Sequence, residues 1–341
     1  MNVADQKMID GILRKAQAVC PGALAAVGIY GSAATGDTHG KSDLDLLILA
    51  EDDRARQLAD CFILEDTMVG YDLYCTTWEM LEADARCSHA HLSKLMDPEI
   101  VYLRDPEVGE RLQALREKAR DILASDARFS RAEACYEEAK KRYAECFLSD
   151  RLPRVRFCAG GVIHSLLDGV MLFHGKYFRL GVKRTFQELP VDLEGPVLAV
   201  IRARSVPEIR DALTRLMKTV RGLLTVPVER EAPSSQNICG TYEEMFSNWR
   251  NKMWEAAEKE DLYSSFMNAV SCAWMLQDIG GTVAVDVPDP LEDFDPGDLR
   301  KNVEVFDGAL ERYLTVYQEA GLGPRRFPDV DAFLAEYLPK L

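Results

Sequence analysis

The sequence predicts an α+β fold, in which a small domain with a mixed sheet precedes a larger, all-helical bundle domain. The chain has 341 residues, which suggests about two domains at roughly 150 residues each. Short apolar runs typical of strands lie in the first 105 residues, whereas long stretches with helical periodicity follow Asp105-Pro106. We therefore expect a first domain at residues 1–105 and a helical domain at residues 106–341.

In the first domain, apolar spacing predicts one long helix and three strands. The helix, at residues 5–19, carries an apolar stripe and ends at Pro21-Gly22. Strands are expected at residues 25–30, 43–49 and 70–76, with shorter helices at residues 53–63 and from residue 78. The strand at 43–49 is apolar on both faces, which is typical of a strand buried in a sheet.

The second domain consists of helical patterns separated by prolines and by a loop at residues 229–240. Helices are predicted at residues 108–124, 130–149, 155–174, 206–225, 241–258, 262–279 and 298–320. No apolar run is expected to reach the roughly 18 residues of a membrane span. The N-terminus mixes charges of both signs, unlike a secretory signal. We therefore expect no membrane partner.

The charge balance limits the classes of partner. The chain has 41 basic and 56 acidic residues, a net charge of −15. The first 105 residues hold 18 acidic and 9 basic side chains, so the acid is concentrated there. Such a chain repels a phosphate backbone, which disfavours nucleic-acid binding and tolerates a cationic small molecule better.

Cysteines and histidines show no metal-binding spacing. The nine cysteines are scattered without a C-x-x-C pair, which favours reduced thiols and a cytoplasmic location. His89 and His91 lie two residues apart, but no further ligand stands at a helpful spacing. Both histidines are therefore predicted to be surface residues.

The segment most informative about chemistry is residues 28–49, GIYGSAATGDTHGKSDLDLLIL. Asp43 and Asp45 are two apart at the start of a strand, so their side chains share a face with Cα atoms roughly 7 Å apart. Two carboxylates on one face can hold hard divalent ions such as Mg²⁺. An acid-x-acid pair alone has low specificity, since chance gives about nine in this chain, and a solvated charge cluster is the ordinary explanation.

Gly31-Ser32 raises the specificity of the pair. Glycine lets the backbone turn sharply and approach a ligand closely. Ser32 offers a hydroxyl and a backbone N–H, groups that bind phosphate oxygens. On its own a Gly-Ser pair is an ordinary turn. Together with the aspartates it predicts a phosphate-binding bend beside a metal-binding pair.

Asp72, early in the third predicted strand, is the candidate for a third carboxylate. On an adjacent strand it would face the other two and act as a metal ligand or as a general base. It would otherwise merely begin a strand. Glu65, Asp66 and Glu79 are competing candidates, and they lie in a predicted loop or helix.

The segment at residues 28–49 resembles the signature of the DNA polymerase β-type nucleotidyltransferase superfamily, in which a Gly-Ser pair is followed by two aspartates. Here Gly31-Ser32 is followed, after ten residues, by Asp43-Leu44-Asp45. The resemblance covers residues 25–78 and is most like the small-molecule enzymes, including the antibiotic or aminoglycoside type. It implies a small α/β catalytic domain followed by a helical, substrate-binding bundle. It also implies Mg²⁺-dependent transfer of a nucleoside monophosphate, AMP in the first instance, from an NTP such as ATP to a hydroxyl, with release of pyrophosphate.

The resemblance also implies roles for individual residues. Gly31 and Ser32 would hold the triphosphate, Asp43 and Asp45 would ligate two magnesium ions, and Asp72 would be a ligand or the base. In the helical domain, GKYFRLGVKR is similar to a segment that packs against the nucleotide, with Lys183 the candidate to neutralise the phosphates. Lys176, Arg179 and Arg184 are alternatives for this role, and a solvated basic turn is the ordinary explanation.

An acidic stretch at residues 286–298 could attract a cationic acceptor, although an exposed acidic loop is the ordinary explanation. Three functions stay open. The first is an enzyme that modifies a hydroxylated, cationic small molecule, such as an antibiotic. The second is an antitoxin-type enzyme that modifies a protein hydroxyl. The third is a non-catalytic nucleotide-binding module. The chain is expected to be a monomer or a homodimer.

Overall fold

The strands of this chain lie in its first third, and helices form most of the remainder. The computed structural model describes residues 3–36, 44–65, 68–180, 184–226 and 229–337. The described strands are β1 (Leu24–Ile29), β2 (Leu46–Ala50), β3 (Asp60–Leu64), β4 (Val69–Leu73), β5 (Cys75–Thr77) and β6 (Glu99–Leu103). The predicted fold class, a mixed N-terminal part followed by a mostly helical part, is confirmed.

Four of the strands form one mixed sheet in the order β5-β2-β1-β6. Strand β1 is antiparallel to both β2 and β6, and β2 is parallel to β5. The two predicted strands on either side of Gly31-Ser32 are therefore direct neighbours. This pairing brings the end of β1 close to the beginning of β2, where Gly31, Ser32 and Asp45 lie.

The third predicted strand, at residues 70–76, is divided between two sheets. Strand β4 pairs with β3 in a separate two-stranded sheet, and β5 pairs with β2. The predicted helix at 53–63 is also partly wrong. It is a 3₁₀ helix at Asp53–Leu58, and the β-favouring residues that follow it form β3. Asp52 begins this 3₁₀ helix by accepting a hydrogen bond from Arg54 N.

The helices cover the sheet and extend beyond it. Those up to residue 226 are α1 (Val3–Val19), α2 (Gly31–Thr35), α3 (Trp78–Asp84), α4 (Ser93–Met96), α5 (Pro106–Ala124), α6 (Ala127–Glu145), α7 (Leu152–Phe173), α8 (Thr185–Glu188), α9 (Glu194–Arg202) and α10 (Val206–Leu223). Helix α9 was not predicted. Its Pro196 lies in the first turn, where the missing N–H has no intrahelical partner to lose.

The four-stranded sheet buries both of its faces. Leu47 and Leu49 of β2 pack into a large core with side chains from α3, α5, α6, α7, α9 and α10. Leu46 and Ile48, on the opposite face of the same strand, pack into a second core with α1 and the 3₁₀ helix. The alternation of β2 between two cores explains its unbroken apolar sequence.

The chain divides into two compact units after Val226. The domain boundary predicted near residue 105 falls inside the first unit, since the helices that follow Asp105 share a core with β2. Asp105 itself is a helix N-cap, accepting a hydrogen bond from Val108 N at 3.0 Å, with Pro106 in the first helical turn.

The second unit, from residue 227, is helical in its described part, with a bridge between Glu231 and Val283. Its elements are α11 (Thr241–Glu244), a π-helical turn (Met245–Arg250), α12 (Asn251–Glu258), α13 (Leu262–Thr282), α14 (Leu299–Glu319) and α15 (Val330–Tyr337). Tyr313 and Tyr317 of α14 are fully buried in its core. The Tyr317 hydroxyl donates to Glu243 and accepts from Gly240 N, so this core contains satisfied polar groups.

Helix α7 is long enough, and apolar enough in composition, to cross a membrane. The prediction that no stretch reaches this length is wrong for α7. Of the most apolar 18-residue stretch of α7, 67% is buried inside the protein, as expected of a core helix. Val162, Leu166 and Val170 of this helix have no exposed surface.

Candidate functional site

The connection between β1 and β2 places Gly31 beside Asp45. Tyr30 N donates a hydrogen bond to the Asp45 carbonyl oxygen at 3.1 Å, continuing the β1–β2 ladder by one further pair. Gly31 follows at once with a φ of +65° and begins α2. The sharp bend predicted at Gly31-Ser32 is therefore present, and the backbone conformation at Gly31 is one that favours glycine.

The Asp45 carboxylate packs against the Gly31 backbone. A Cβ atom added to Gly31 would lie 2.8 Å from Asp45 Cγ and closer still to Oδ2. Cβ atoms do not approach other heavy atoms so closely, so residue 31 must be glycine for the carboxylate to sit there. Two parts of the predicted site, the bend and one of its aspartates, are thus in direct contact.

Ser32 is largely buried, at 9% exposure, in the first turn of α2. Thr35 Oγ1 donates to the Gly31 carbonyl at 3.1 Å, and Gly36 ends the helix in the left-handed conformation. These local bonds hold the bend. Among the described residues, no hydrogen bond involves the Ser32 hydroxyl, so it has donor and acceptor capacity for a ligand.

The partner of Asp45 in the predicted pair, Asp43, lies outside the described residues. Asp45 itself is separated by even steps from Leu47 and Leu49, so it belongs to the sheet face that meets the helical core. That face is opposite the one covered by α1. The pairing of Asp43 with Asp45 stays a prediction.

Asp72 is exposed on β4, where it pairs with Cys61 of β3. Cys61 Sγ donates a hydrogen bond to Asp72 Oδ1 at 3.3 Å, and this bond raises the pKa of the Cys61 thiol. Neighbouring Tyr71 and Leu73 pack into the α1 core. By strand alternation, Asp72 faces away from that core, as Asp45 does.

The register of β2 and β5 shows that Asp45 and Asp72 occupy equivalent positions before paired residues of these strands. Ile48 pairs with Cys75 in a parallel ladder, a separation of 27 residues. Asp45 and Asp72 are also 27 residues apart, each three residues before one of these partners. Asp45 and Asp72 thus precede paired positions on adjacent strands. Of the competing acids, Glu65 and Glu79 lie in a turn and on α3, and Asp66 is outside the described residues.

Lys183 also lies outside the described residues. Of its alternatives, Lys176 and Arg179 line a cavity of about 450 Å³ beside Asp97, with Arg179 Nε 3.6 Å from Asp97 Oδ2. Arg184 has a φ of +62° and precedes α8. The described basic side chains of the segment are exposed, and Arg179 lies beside the half-buried Asp97, so a role for the segment on phosphates stays a prediction.

The acidic stretch at residues 286–298 lies in the second unit, and most of its carboxylates are exposed. Three of them have local structural partners, and the first, Asp289, accepts a hydrogen bond from Leu291 N. Asp298 accepts from Lys301 N and begins α14. Asp295 accepts a hydrogen bond from Gly297 N. These contacts account for part of the acidic composition without a ligand.

The prediction that His89 and His91 are surface residues is wrong for His91, which is half-buried. Its Nε2 lies 3.4 Å from Asp168 Oδ1, and His164 Nδ1 lies 3.2 Å from Asp168 Oδ2. Burial lowers the pKa of His91, whereas the hydrogen bond to Asp168 raises the pKa of His164. Local spacing could not reveal this cluster, because His91 meets residues that follow it by more than 70 positions.

Comparison with known proteins agrees with the geometry of the Gly31–Asp45 region. Residues 11–123 match the family model of the nucleotidyltransferase domain, a segment that includes Gly31, Ser32, Asp45 and Asp72. The predicted nucleotidyltransferase domain, and with it an enzyme of the transferase class, is confirmed. The antibiotic-type subfamily and the acceptor stay predictions.

No protein of curated function matches the sequence at a significant level. Among solved structures, the chain is similar to a nucleotidyltransferase-like protein from Exiguobacterium sibiricum 255-15. The two are 10% identical over 94% of this chain and 95% of that protein, with a TM-score of 0.32.

Proposed function

We propose that this chain, which carries a nucleotidyltransferase domain at residues 11–123, transfers a nucleoside monophosphate to a hydroxyl of a cationic small molecule. The donor is ATP or another NTP, and pyrophosphate is released. The observation that carries the proposal is the contact between the Gly31 backbone and the Asp45 carboxylate, which joins a phosphate-binding bend to a metal-binding side chain.

The residues of this region fit a divalent metal ion. The carboxylate of Asp45 occupies space that only glycine at position 31 leaves open, and carboxylate oxygens are the ligands Mg²⁺ prefers. Asp45, Asp43 and Asp72 are the residues that would hold the metal. When bound, Mg²⁺ would supply positive charge to the triphosphate and the leaving pyrophosphate.

Gly31 and Ser32 would position the triphosphate. The bend exposes backbone at a residue without a side chain, so a phosphate group can approach it closely. The Ser32 hydroxyl has no hydrogen bond among the described residues and can donate to a phosphate oxygen. Lys183 is the proposed additional cation on the phosphates, with Lys176, Arg179 and Arg184 as alternatives.

Asp72 is proposed as a metal ligand or as the general base. In the second role, its carboxylate accepts the proton of the acceptor hydroxyl as that oxygen attacks the α-phosphorus. The bond from the α-phosphorus to the bridging oxygen breaks, and pyrophosphate leaves with that electron pair. Asp45 and Asp72 belong to segments that lead into the paired strands β2 and β5, and this supports their cooperation, although Asp72 itself lies on β4 of the two-stranded sheet.

A cationic acceptor is favoured by charge. The net charge of the chain is −15, and half or more of that excess falls in the first 105 residues. Such a field attracts a small cation and repels polyanions. The antibiotic type of acceptor is the specific form of the proposal, and a protein hydroxyl is its main alternative.

The test measures pyrophosphate release from Mg²⁺-ATP with a panel of aminated, hydroxylated small molecules. Asp45→Asn keeps the side-chain shape but removes its charge, and we expect activity to fall about a hundredfold or more. Asp53→Asn is the matched control, because Asp53 is exposed on the 3₁₀ helix and pairs only with Arg56 in the described structure. Equal activity of Asp45→Asn and wild type would refute the proposed site.

Radiolabelled ATP separates the alternatives. Label on a small molecule supports the proposal, whereas label on a protein band favours modification of a protein hydroxyl. ATP binding measured by calorimetry, with no turnover across the panel, favours a nucleotide-binding module.

A further inference from the structure

We propose that His91, His164 and Asp168 form a binding site for a first-row divalent metal ion, with Zn²⁺ as the ion that fits best. This site shares no residue with the Asp45 region, and the proposal does not depend on the proposed transfer reaction. It belongs to the first compact unit, at the wall of a cavity of about 450 Å³.

Two elements supply the three side chains. His164 and Asp168 are four residues apart on α7, so they lie on the same helix face. His91 comes from the segment between α3 and α4. The ring centroids of His91 and His164 are 4.8 Å apart. The tertiary structure thus converts an ordinary helical pair into a cluster with a third, independent ligand.

The distances match a zinc coordination shell. One potential ligand atom from each of the three residues lies within 4.8 Å of the others. The two carboxylate–imidazole separations are 3.2 Å and 3.4 Å. Zn–N and Zn–O bonds of about 2.0–2.2 Å in a tetrahedron place neighbouring ligand atoms roughly 3.4 Å apart. Small side-chain adjustments would therefore bring all three around one ion.

The Asp168 carboxylate gives independent evidence that a cation binds in this cluster. The residue is only 3% exposed, and its Oδ1 is a buried atom that has no hydrogen bond in the described part of the chain. No described lysine or arginine forms an ion pair with it. A buried carboxylate needs compensating charge. A divalent cation held jointly with two neutral imidazoles would provide that charge and occupy the unsatisfied oxygen.

His91 is fixed in place before any metal binds. Phe178 stacks on its ring at a centroid distance of 5.1 Å, and Phe178 N donates to the Ala90 carbonyl at 2.8 Å. The His91 backbone N–H donates to His89 Nδ1 at 3.2 Å. Such support from surrounding residues orients a ligand ring and strengthens metal sites.

The cavity leaves room for further ligands. Its walls are mostly apolar, with Ile163, Leu167, Phe178 and Phe186 among the residues that line it. Three protein ligands beside an open space are typical of zinc sites that bind water or another small ligand in the fourth position. Imidazole nitrogens select a first-row transition metal over Mg²⁺, which prefers an all-oxygen shell.

The test is metal binding by the full-length protein after removal of metals with a chelator. Calorimetric titration with Zn²⁺ should show one site per chain. His164→Gln should weaken it by more than about a hundredfold, since even the loss of a supporting residue costs 10–100-fold. His164 is suited to the test because its side chain is 55% exposed, so the variant should remain folded. His174→Gln, an exposed histidine at the end of the same helix, is the matched control.

Co²⁺ supplies a second readout. Its visible absorption spectrum should be that of a low-coordinate site with nitrogen and oxygen ligands, without thiolate charge-transfer bands. The absence of those bands would exclude the exposed thiols of Cys61 and Cys239 as ligands. Excess Mg²⁺ should not displace it. Equal Zn²⁺ affinity in wild type and His164→Gln, or no binding by wild type, would overturn the proposal and leave a hydrogen-bonded charge cluster.

Discussion

The carboxylate of Asp45 lies against the Gly31 backbone in the space that a side chain on residue 31 would need. These residues are 14 positions apart in the sequence: Gly31 begins α2 shortly after β1, and Asp45 directly precedes β2, which is antiparallel to β1. Because of this contact, the carboxylate can keep its position only if residue 31 is glycine. A change at Gly31 should therefore affect the proposed chemistry as well as the stability.

Gly31→Ala should destabilise the protein by more than Gly36→Ala does. Both glycines have positive φ, +65° and +73°, so each alanine carries about 1–2 kcal/mol of backbone strain. Only the alanine at 31 also displaces Asp45, because a Cβ at Gly36 meets nothing within 4 Å. Urea unfolding of both variants measures the difference. Pyrophosphate release should fall sharply in Gly31→Ala and be largely retained in Gly36→Ala, and equal losses would argue against the contact.

Asp72→Asn should make the Cys61 thiol more reactive. The Asp72 carboxylate accepts the Cys61 S–H hydrogen bond and raises the pKa of the thiol. An amide has no charge to oppose the thiolate, so the pKa should fall and the thiolate fraction at mildly alkaline pH should rise. Alkylation of Cys61, followed by mass spectrometry, should be several-fold faster in the variant.

Exposed Cys239 in the second unit is an internal control, whose alkylation rate should not change. The same assay reports on Asp72 without measuring catalysis. If Asp72 ligates magnesium, saturating Mg²⁺-nucleotide should change the Cys61 rate in wild type and have less effect in Asp72→Asn. An identical response in both proteins would count against Asp72 as a ligand.

Tyr177→Phe should cost more stability than Tyr143→Phe. The Tyr177 hydroxyl donates to the half-buried Asp97 carboxylate at 2.7 Å, whereas the Tyr143 hydroxyl pairs with the neutral Thr214 hydroxyl at 2.6 Å. Hydrogen bonds to charged groups contribute about 1.5–3 kcal/mol and neutral ones about 0.5–1.5 kcal/mol. Chemical denaturation compares the two free energies of unfolding. A larger loss in Tyr143→Phe would contradict the importance of the Asp97 contact.

Much of the fold was predictable because its signals are local. Strand alternation and apolar runs located β1 and β2, and helical periodicity located α5, α6, α7 and α10 to within a few residues. The division of residues 69–77 between two sheets was not predictable. The stretch has one continuous strand-like pattern, and its partners, β3 and β2, are chosen by the packing of the whole unit.

Some of the functional residues were likewise predictable from the sequence, and others were not. Gly31, Ser32 and Asp45 belong to one short segment whose residue types and spacing carry a chemical meaning, so they were found from the sequence alone. His91, His164 and Asp168 were missed because no short segment contains all three. His164 and Asp168 do have helical spacing, but one histidine and one aspartate at such spacing are common on helices and indicate little alone.

The sequence by itself determined the positions of β1, β2 and several long helices, the bend at Gly31-Ser32 and the aspartate that directly precedes β2. These depend on interactions between residues near one another along the chain. Only the tertiary structure decided that residues 106–226 share a core with the sheet, and that an imidazole from a loop meets the buried Asp168 carboxylate of α7. Such contacts arise when distant segments bury their apolar faces against each other, and the polar groups carried along must then find partners inside.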